Sequence, residues 1–247
     1  MNKTTILAAI GALATLPAFA EDTAPKLGPN AIPITERTEY LRSAAAPDYW
    51  AFTPFVKPQF TTSACSIASI TAAVNGLRGL PANAEDTITT QPALLEAAGS
   101  PEWAALSAEG GDGVRFDQLA TFAALAVEKL GMLDATVDSF KPASNDGDTL
   151  AEMREWLSAN EASAKDVLSV YFNQGVVTGD WDGPHVAIIG AYDQAADMVL
   201  ILEVDQDWYI PYWTPAPVLL EAMLKPTSAE HGPLQGETGG FVRIAMN

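Results

Sequence analysis

Cysteine and histidine are almost absent from this sequence. Of its 247 residues, one is cysteine (Cys65) and two are histidine (His185 and His231). One cysteine cannot form an internal disulfide. A structural zinc site with thiolate ligands is also excluded, because it needs more Cys and His ligands than one cysteine and two histidines provide. Cys65 is therefore either a small buried side chain or a reactive thiol.

Basic residues and long apolar runs are also scarce. Lysine and arginine number 13 against 31 acidic residues, which gives a formal net charge of −18. This sign argues against nucleic acids and anionic membrane surfaces as partners. The apolar run at residues 6–16 is too short to cross a bilayer, and no other run is long enough, so we predict no membrane span.

That short run has the features of a signal peptide. Lys3 places a positive charge before it, and Ala-Phe-Ala at residues 18–20 matches the small-residue cleavage pattern. We predict a signal peptide at residues 1–20, cleavage after Ala20, and export to a bacterial periplasm.

Hydrophobic periodicity predicts one α+β domain at residues 47–247, preceded by an extended N-terminal arm at residues 21–46. Apolar residues recur at helical spacing in three segments and form β-type runs in four others. One predicted helix begins near residue 63, a second spans 116–130, and a third follows a polar loop at 144–148. The predicted strands span 166–172, 185–192, 198–204 and 240–246. Helices first and antiparallel strands second predict a helical lobe packed against an antiparallel sheet lobe.

Cys65 lies at the start of the first predicted helix. The free N–H groups and the positive end of the helix dipole there stabilise a thiolate, with a structural cysteine on the first turn as the alternative. His231 sits in a Glu-His-Gly-Pro loop, and we interpret it as a solvated residue. His185 follows a turn and opens a predicted strand, where a general base is held rigidly beside a cleft; a buried core histidine is the alternative.

A polar turn separates two of the predicted strands and indicates an antiparallel hairpin. With the turn centred near Gln194, His185 lies opposite Glu203; with the turn shifted by one residue, it lies opposite Asp205. Either register places a carboxylate beside the imidazole, where it fixes the tautomer and stabilises the imidazolium. A thiol at a helix N-terminus, a histidine on a strand and a carboxylate together predict a thiol acyl-transfer site.

Gln59 stands six residues before Cys65. Its side-chain amide can donate to a developing oxyanion together with the backbone N–H of Cys65. A glutamine at this distance before a helix-capping cysteine is typical of papain-like hydrolases, so we expect a papain-like cysteine protease fold.

Several stretches share the motifs of one enzyme family. The matching positions are Gln59, Cys65, Ala68, Ser69, Asn75 and Leu77, residues 185–192, and Tyr209-Ile210-Pro211-Tyr212-Trp213. They resemble the catalytic domain of phytochelatin synthase, the glutathione γ-glutamylcysteinyltransferase family, in its short bacterial form, over most of the chain from about residue 49. The resemblance implies that Cys65 is the nucleophile, His185 the base and Gln59 the oxyanion donor, and it places Glu203 where the family has its catalytic aspartate.

The resemblance also implies a substrate, glutathione. A cysteine acyltransferase of this type cleaves the Cys–Gly bond, releases glycine and keeps a γ-Glu-Cys thioester on Cys65. The acyl group then passes to water, as in a glutathione hydrolase, or to a second glutathione, as in phytochelatin synthesis. No built-in cofactor is expected, and heavy-metal ions such as cadmium or zinc would enter as glutathione thiolates in a heavy-metal response.

Three departures from the family pattern bear on this expectation. Glu203 stands in place of an aspartate and has a longer side chain, which leaves Asp205 as the alternative acid. Ser66 replaces the glycine after the nucleophile and is expected to narrow the space beside the thiol, and Gln206 replaces an arginine, which favours hydrolysis over transfer. Two other classes stay open: a papain-like peptidase of the bacteriocin-leader type, which shares the catalytic frame but gives no reason for the stretch at 209–213, and a non-catalytic binding homologue in which Ser66 and Glu203 mark lost catalysis.

Overall fold

The structure is a computed structural model that describes residues 25–247. The predicted signal peptide at residues 1–20 lies outside the described residues. In the described part of the chain, no helix combines the length and the apolar character that crossing a membrane requires.

A seven-stranded antiparallel sheet forms the centre of the described fold, which confirms the α+β class. The strand order across the sheet is β1-β6-β5-β4-β3-β7-β2. The strands are β1 (Ile32–Pro33), β2 (Ala135–Phe140), β3 (Asp166–Asn173), β4 (Pro184–Asp193), β5 (Met198–Leu202), β6 (Tyr212–Pro215) and β7 (Gly240–Met246).

Helices occupy much of the remaining described chain. They are α1 (Glu39–Ser43), α2 (Pro47–Phe52), α3 (Cys65–Arg78), α4 (Gln91–Ala98), α5 (Pro101–Leu106), α6 (Phe116–Lys129), α7 (Gly147–Glu161), α8 (Gln174–Thr178) and α9 (Ala216–Leu224), with 3₁₀ segments at Thr53–Phe55 and Ala229–Leu234. The three predicted helices correspond to α3, α6 and α7. The arm expected at residues 21–46 contributes both strand β1 and helix α1 to the described fold.

The sheet carries helices on both faces. One core lies between the sheet and helices α3 to α6, and a second lies between the sheet and helices α7 to α9. The prediction of one helical lobe against a sheet lobe did not specify that helices cover both faces of the sheet. Strands β3, β4 and β5 are buried along nearly their whole length, and strands that are buried on both sides need helices on both sides.

The hairpin of β4 and β5 has an irregular register. Asp193 pairs with Met198, but an irregularity between Ile189 and Ala191 shifts the pairing by one residue, so that Ile188 pairs with Leu202. Continued toward the start of β4, this register would place residue 205 opposite residue 185. The ladder ends at Leu202, however, and the chain beyond it leaves the strand, which frees the following side chains to take other positions.

Helix α3 is fixed against both the sheet and helix α2. The hydroxyl of Ser69, buried in the middle of α3, donates to the carbonyl of Val186 on β4 at 3.1 Å. Gly76 lies against the ring of Phe52, and a Cβ atom at position 76 would overlap that ring. Because Phe52 is fully buried, the ring has no free space to move into.

Replacing Gly76 by alanine is expected to destabilise the protein. Alanine normally favours a helix interior by about 1 kcal/mol over glycine, but here the added methyl overpacks the contact with Phe52, and we expect the free energy of unfolding to fall by about 1–3 kcal/mol. Urea denaturation measures this. Gly147→Ala, in the first turn of α7 where a Cβ meets nothing within 4 Å, is the control and should leave stability equal or slightly higher; equal stability of both variants would contradict the packing argument.

Candidate active site

Cys65 is the first residue of helix α3. The residue before it, Ala64, provides no side-chain cap, so the first-turn N–H groups stay available to an anion at the helix end. The thiol is only partly buried. Cys65 is therefore a reachable side chain at an electropositive position rather than a cysteine enclosed in the core.

His185 and Glu203 form a buried pair at the start of strand β4. The distance from His185 Nε2 to Glu203 Oε1 is 2.6 Å, and the two side chains are 4% and 0% exposed. The ring of Phe172 meets the imidazole edge-on, with centroids 5.8 Å apart. Since Nε2 is engaged by the carboxylate, Nδ1 is the ring nitrogen left for the thiol.

Five donors surround the carboxylate of Glu203. His185 shares Oε1 with the backbone N–H groups of Val204 and Asp205, at 2.8 and 2.7 Å. The other oxygen accepts hydrogen bonds from Gln174 Nε2 at 3.1 Å and from the hydroxyl of Tyr212 at 3.3 Å. Burial by itself would raise the pKa of Glu203, but the charge and hydrogen bond of His185 and the backbone N–H groups of Asp205 and Val204 outweigh it and lower the pKa, so the group stays ionised.

The same contact sets the protonation of His185. Burial disfavours the imidazolium, but the charge of Glu203 and the adjacent Cys65 outweigh that effect and raise the pKa of His185 above its ordinary value of 6.5. With a pKa raised to about 10, the histidine is a cation at neutral pH and can act as a general acid.

Asp205, the alternative acid, occupies a different position. Its backbone N–H supports Glu203, while its side chain lines a cavity next to His185. Burial raises the pKa of Asp205. The carboxylate that contacts the imidazole is thus Glu203. Of the two registers considered from the sequence, the hairpin has the one that would bring Asp205 opposite His185.

Gln59 lies beside these residues. Its backbone N–H donates to the carbonyl of Val204 at 2.8 Å, which ties the segment before Cys65 to the residue after Glu203. The side chain lines the same cavity as Cys65 and donates to the carbonyl of Thr62 only at 3.4 Å. This weak hydrogen bond leaves the amide free to donate to an oxyanion.

Two cavities flank Cys65. The His185 cavity, of about 410 Å³, is lined by Cys65, His185 and Gln59 among others. The Tyr171 cavity, of about 330 Å³, is also lined by Cys65 but does not include His185. The hydroxyl of Tyr171 is buried there without a hydrogen-bond partner among residues 25–247. The nucleophile therefore lines both a cavity that contains the histidine and one that does not.

Two expectations from the sequence need correction. His231 is partly exposed but is held in place and is not a free loop residue, because its Nε2 lies 2.8 Å from the carbonyl of Asp182 and its ring packs edge-on against Trp181. Ser66 does not narrow the space beside the thiol. Its side chain is buried in the core, where its hydroxyl accepts a hydrogen bond from Trp103 Nε1 at 3.1 Å.

Two supporting residues were not assigned a role from the sequence. Gln174 comes from helix α8, which carries no motif, so nothing in the sequence pointed to it. Tyr212 lies in the stretch at 209–213. The spacing of this stretch after the histidine indicated that it has a role, but it did not show that Tyr212 donates to Glu203. Over the part of the chain that the structure describes, no cluster of three or more His, Cys, Asp or Glu side chains could hold a metal ion.

A scan against protein-family models matches residues 27–232 to the model described as phytochelatin synthase. The chain belongs to the phytochelatin synthase family. A search of curated proteins gives no match. Because the match covers most of the described chain, including Gln59, Cys65, His185 and Glu203, membership of this family supports a glutathione-related transferase function.

In this phytochelatin synthase family member, Glu203→Gln is expected to lower glutathione turnover on the order of a hundredfold, since it removes the charge that keeps His185 protonated. Glu203 raises the pKa of His185, so its loss lowers that pKa, and the alkaline limb of the pH–rate profile moves to lower pH. Activity with glutathione measured from pH 5 to about pH 10 tests this.

Glu155→Gln, an equal change of charge at an exposed position of helix α7, is the control and should leave the profile unchanged. An alkaline limb at the same pH in the Glu203 variant and the wild type would show that Glu203 does not govern the protonation of His185.

Proposed function

We propose that this protein is a thiol acyltransferase that cleaves the Cys–Gly bond of glutathione through a γ-Glu-Cys thioester on Cys65. The observation that carries the proposal is the buried contact of 2.6 Å between His185 and Glu203, in a cavity that Cys65 also lines. Family membership supplies the substrate class. The arrangement of Gln59, a cysteine at a helix N-terminus and a histidine on a strand further supports a papain-like fold.

The first half of the reaction forms the thioester. The Cys65 sulfur attacks the carbonyl carbon of the Cys–Gly bond, and the oxyanion accepts hydrogen bonds from Gln59 and the backbone N–H of Cys65. The C–N bond then breaks, and the His185 cation gives its proton to the departing nitrogen of glycine. Glu203 holds the imidazole in place and stabilises its charge until that proton leaves.

The second half returns the free enzyme. Neutral His185 takes a proton from water or from the amine of a second glutathione as that group attacks the thioester carbonyl, and the C–S bond breaks to restore the thiolate. Water gives γ-Glu-Cys, and an amine held close to the thioester competes with it through effective concentration. Hydrolysis is the main outcome in our proposal, because position 206 carries no cation: Gln206 instead donates to the carbonyl of Glu203 at 3.0 Å.

Heavy metals enter this proposal only with the substrate. Cadmium and zinc bind the thiol of glutathione, and a soft metal needs more thiolates than one cysteine offers. Export is likewise part of the proposal and rests on the signal-peptide features of residues 1–20. A periplasmic enzyme would act on glutathione outside the cytoplasm.

Mass spectrometry of the mature protein incubated with glutathione, with and without cadmium or zinc, tests the function. We expect glycine and γ-Glu-Cys as the main products, a minor amount of (γ-Glu-Cys)₂-Gly, and an acyl adduct on Cys65 in a quenched sample. Cys65→Ala should abolish all of them, whereas Cys65→Ser keeps the size and polarity of the side chain and controls for folding. Wild-type protein with no glycine release above Cys65→Ala would overturn the glutathione assignment and favour a leader peptidase or a non-catalytic binding protein.

A further inference from the structure

The His185 cavity carries an uneven distribution of charge. Apart from His185, the only cationic side chain lining it in the described part of the chain is Lys26, from the segment before strand β1. The acidic side chains lining it are Asp180 and Asp205. Aromatic side chains complete its wall, and these are Trp181, Trp208 and Tyr209.

Lys26 is held at the rim of this cavity by its neighbours. Its ammonium group lies 4.8 Å from the ring centroid of Trp208 and 4.6 Å from that of Tyr209, and it forms an ion pair with Asp180. Asp180 also accepts a hydrogen bond from the hydroxyl of Tyr209 at 3.0 Å. An ammonium group has three N–H donors, so Lys26 is positioned by these contacts and still has donors for a ligand.

The inner part of the cavity offers acceptors. Asp205 lines it together with His185, and this aspartate is only partly buried. Gln174 is fully buried, and its Oε1 has no partner within the described chain, while its Nε2 is used by Glu203. An unpartnered buried oxygen costs free energy unless a ligand donates to it.

The position of His185 shows which part of a substrate belongs here. The proton that His185 transfers goes to the departing amine in the first half of the reaction and comes from the entering amine in the second. His185 lines this cavity and not the Tyr171 cavity. The amine end therefore belongs in the His185 cavity, and the Tyr171 cavity, which Cys65 also lines, is left for the acyl portion.

We propose that the His185 cavity is a site for the α-amino-acid unit H₂N–CHR–COO⁻, with Lys26 binding the carboxylate and with Asp205 and Gln174 binding the amine. This inference rests on the proposed function and specifies it further. The leaving glycine has this unit, and so does the γ-glutamyl end of a second glutathione. One site thus serves the departing and the entering group, and Lys26 supplies a cation to a region where Gln206 has none.

The chemistry at this site is reversible. When an amino acid attacks the thioester, its nitrogen forms a C–N bond to the acyl carbon and gives one proton to neutral His185, and the C–S bond breaks with its electron pair on sulfur. Isotope-labelled glycine added with unlabelled glutathione therefore enters glutathione by exchange. Exchange reports on amine recognition separately from hydrolysis.

The test compares glycine with glycinamide as acceptors. Glycinamide lacks the carboxylate, and its less basic amine is more often unprotonated at neutral pH, so intrinsic reactivity does not favour glycine. In the wild type we expect transfer to glycine to exceed transfer to glycinamide on the order of fivefold, as one part-exposed ion pair allows. Lys26→Met should remove the preference, and Lys26→Arg should keep it.

Lys129→Met is the matched control for Lys26. Lys129 is 44% exposed against 47% for Lys26 and also pairs with a carboxylate, but it lies at the end of helix α6 and does not line the cavity. Asp205→Asn should lower the ratio of transfer to hydrolysis for both acceptors. Its control is Asp207→Asn, an exposed aspartate on the same loop that does not line the cavity and should leave the ratio unchanged.

The outcomes separate this proposal from the function on which it rests. Absence of an acyl adduct on Cys65 would overturn the function, and this inference with it. An adduct with equal transfer to glycine and glycinamide in the wild type, or a glycine preference that survives Lys26→Met, would leave the function standing and overturn the amino-acid site. Loss of the preference in Lys26→Met, with the acyl adduct on Cys65 still formed and the preference kept in Lys26→Arg, is the result that supports it.

Discussion

The buried contact between His185 and Glu203 is the constraint on which the rest of the site depends. A charged pair removed from water loses a large solvation free energy, and its mutual attraction compensates only when the remaining lone pairs are satisfied. Glu203 meets this requirement with donors from its own loop, from helix α8 and from strand β6. Elements far apart in the chain are thereby brought to one carboxylate, and its partner histidine is held beside the nucleophile.

Placing this pair at the end of a hairpin has a structural consequence. Strand β5 ends at Leu202, one residue before Glu203, so the glutamate is no longer bound to the ladder and its side chain can turn toward His185. The longer side chain of glutamate compared with aspartate suits this position, because it reaches across a register that would otherwise bring Asp205 opposite the histidine. Asp205 then faces the cavity, where it is available to a ligand.

Much of the fold could be predicted from the chain because its signals are local. The helix of Cys65 is marked by apolar residues at helical spacing, and strands β3, β4 and β7 stand out as apolar runs with nearly the observed limits. Helices α4, α5, α8 and α9 were not predicted, since they are short and their formation depends on tertiary packing more than on their own periodicity. The bulge near Gly190 was also missed. The position of this bulge depends on how β4 packs against strand β5, where a side chain at position 190 would collide with Leu202.

The sequence by itself determined which residue types could carry the chemistry: one thiol, two imidazoles, a glutamine six residues before the thiol, and two acidic residues on the same face of a hairpin as His185. It did so because residue counts, spacing and strand parity are properties of the chain alone. Only the tertiary structure decided between Glu203 and Asp205, turned Ser66 into the core and brought Lys26 to the same cavity as His185. Each of these depends on which side chains meet across long separations in the chain, and such contacts are set by the packing of the whole fold.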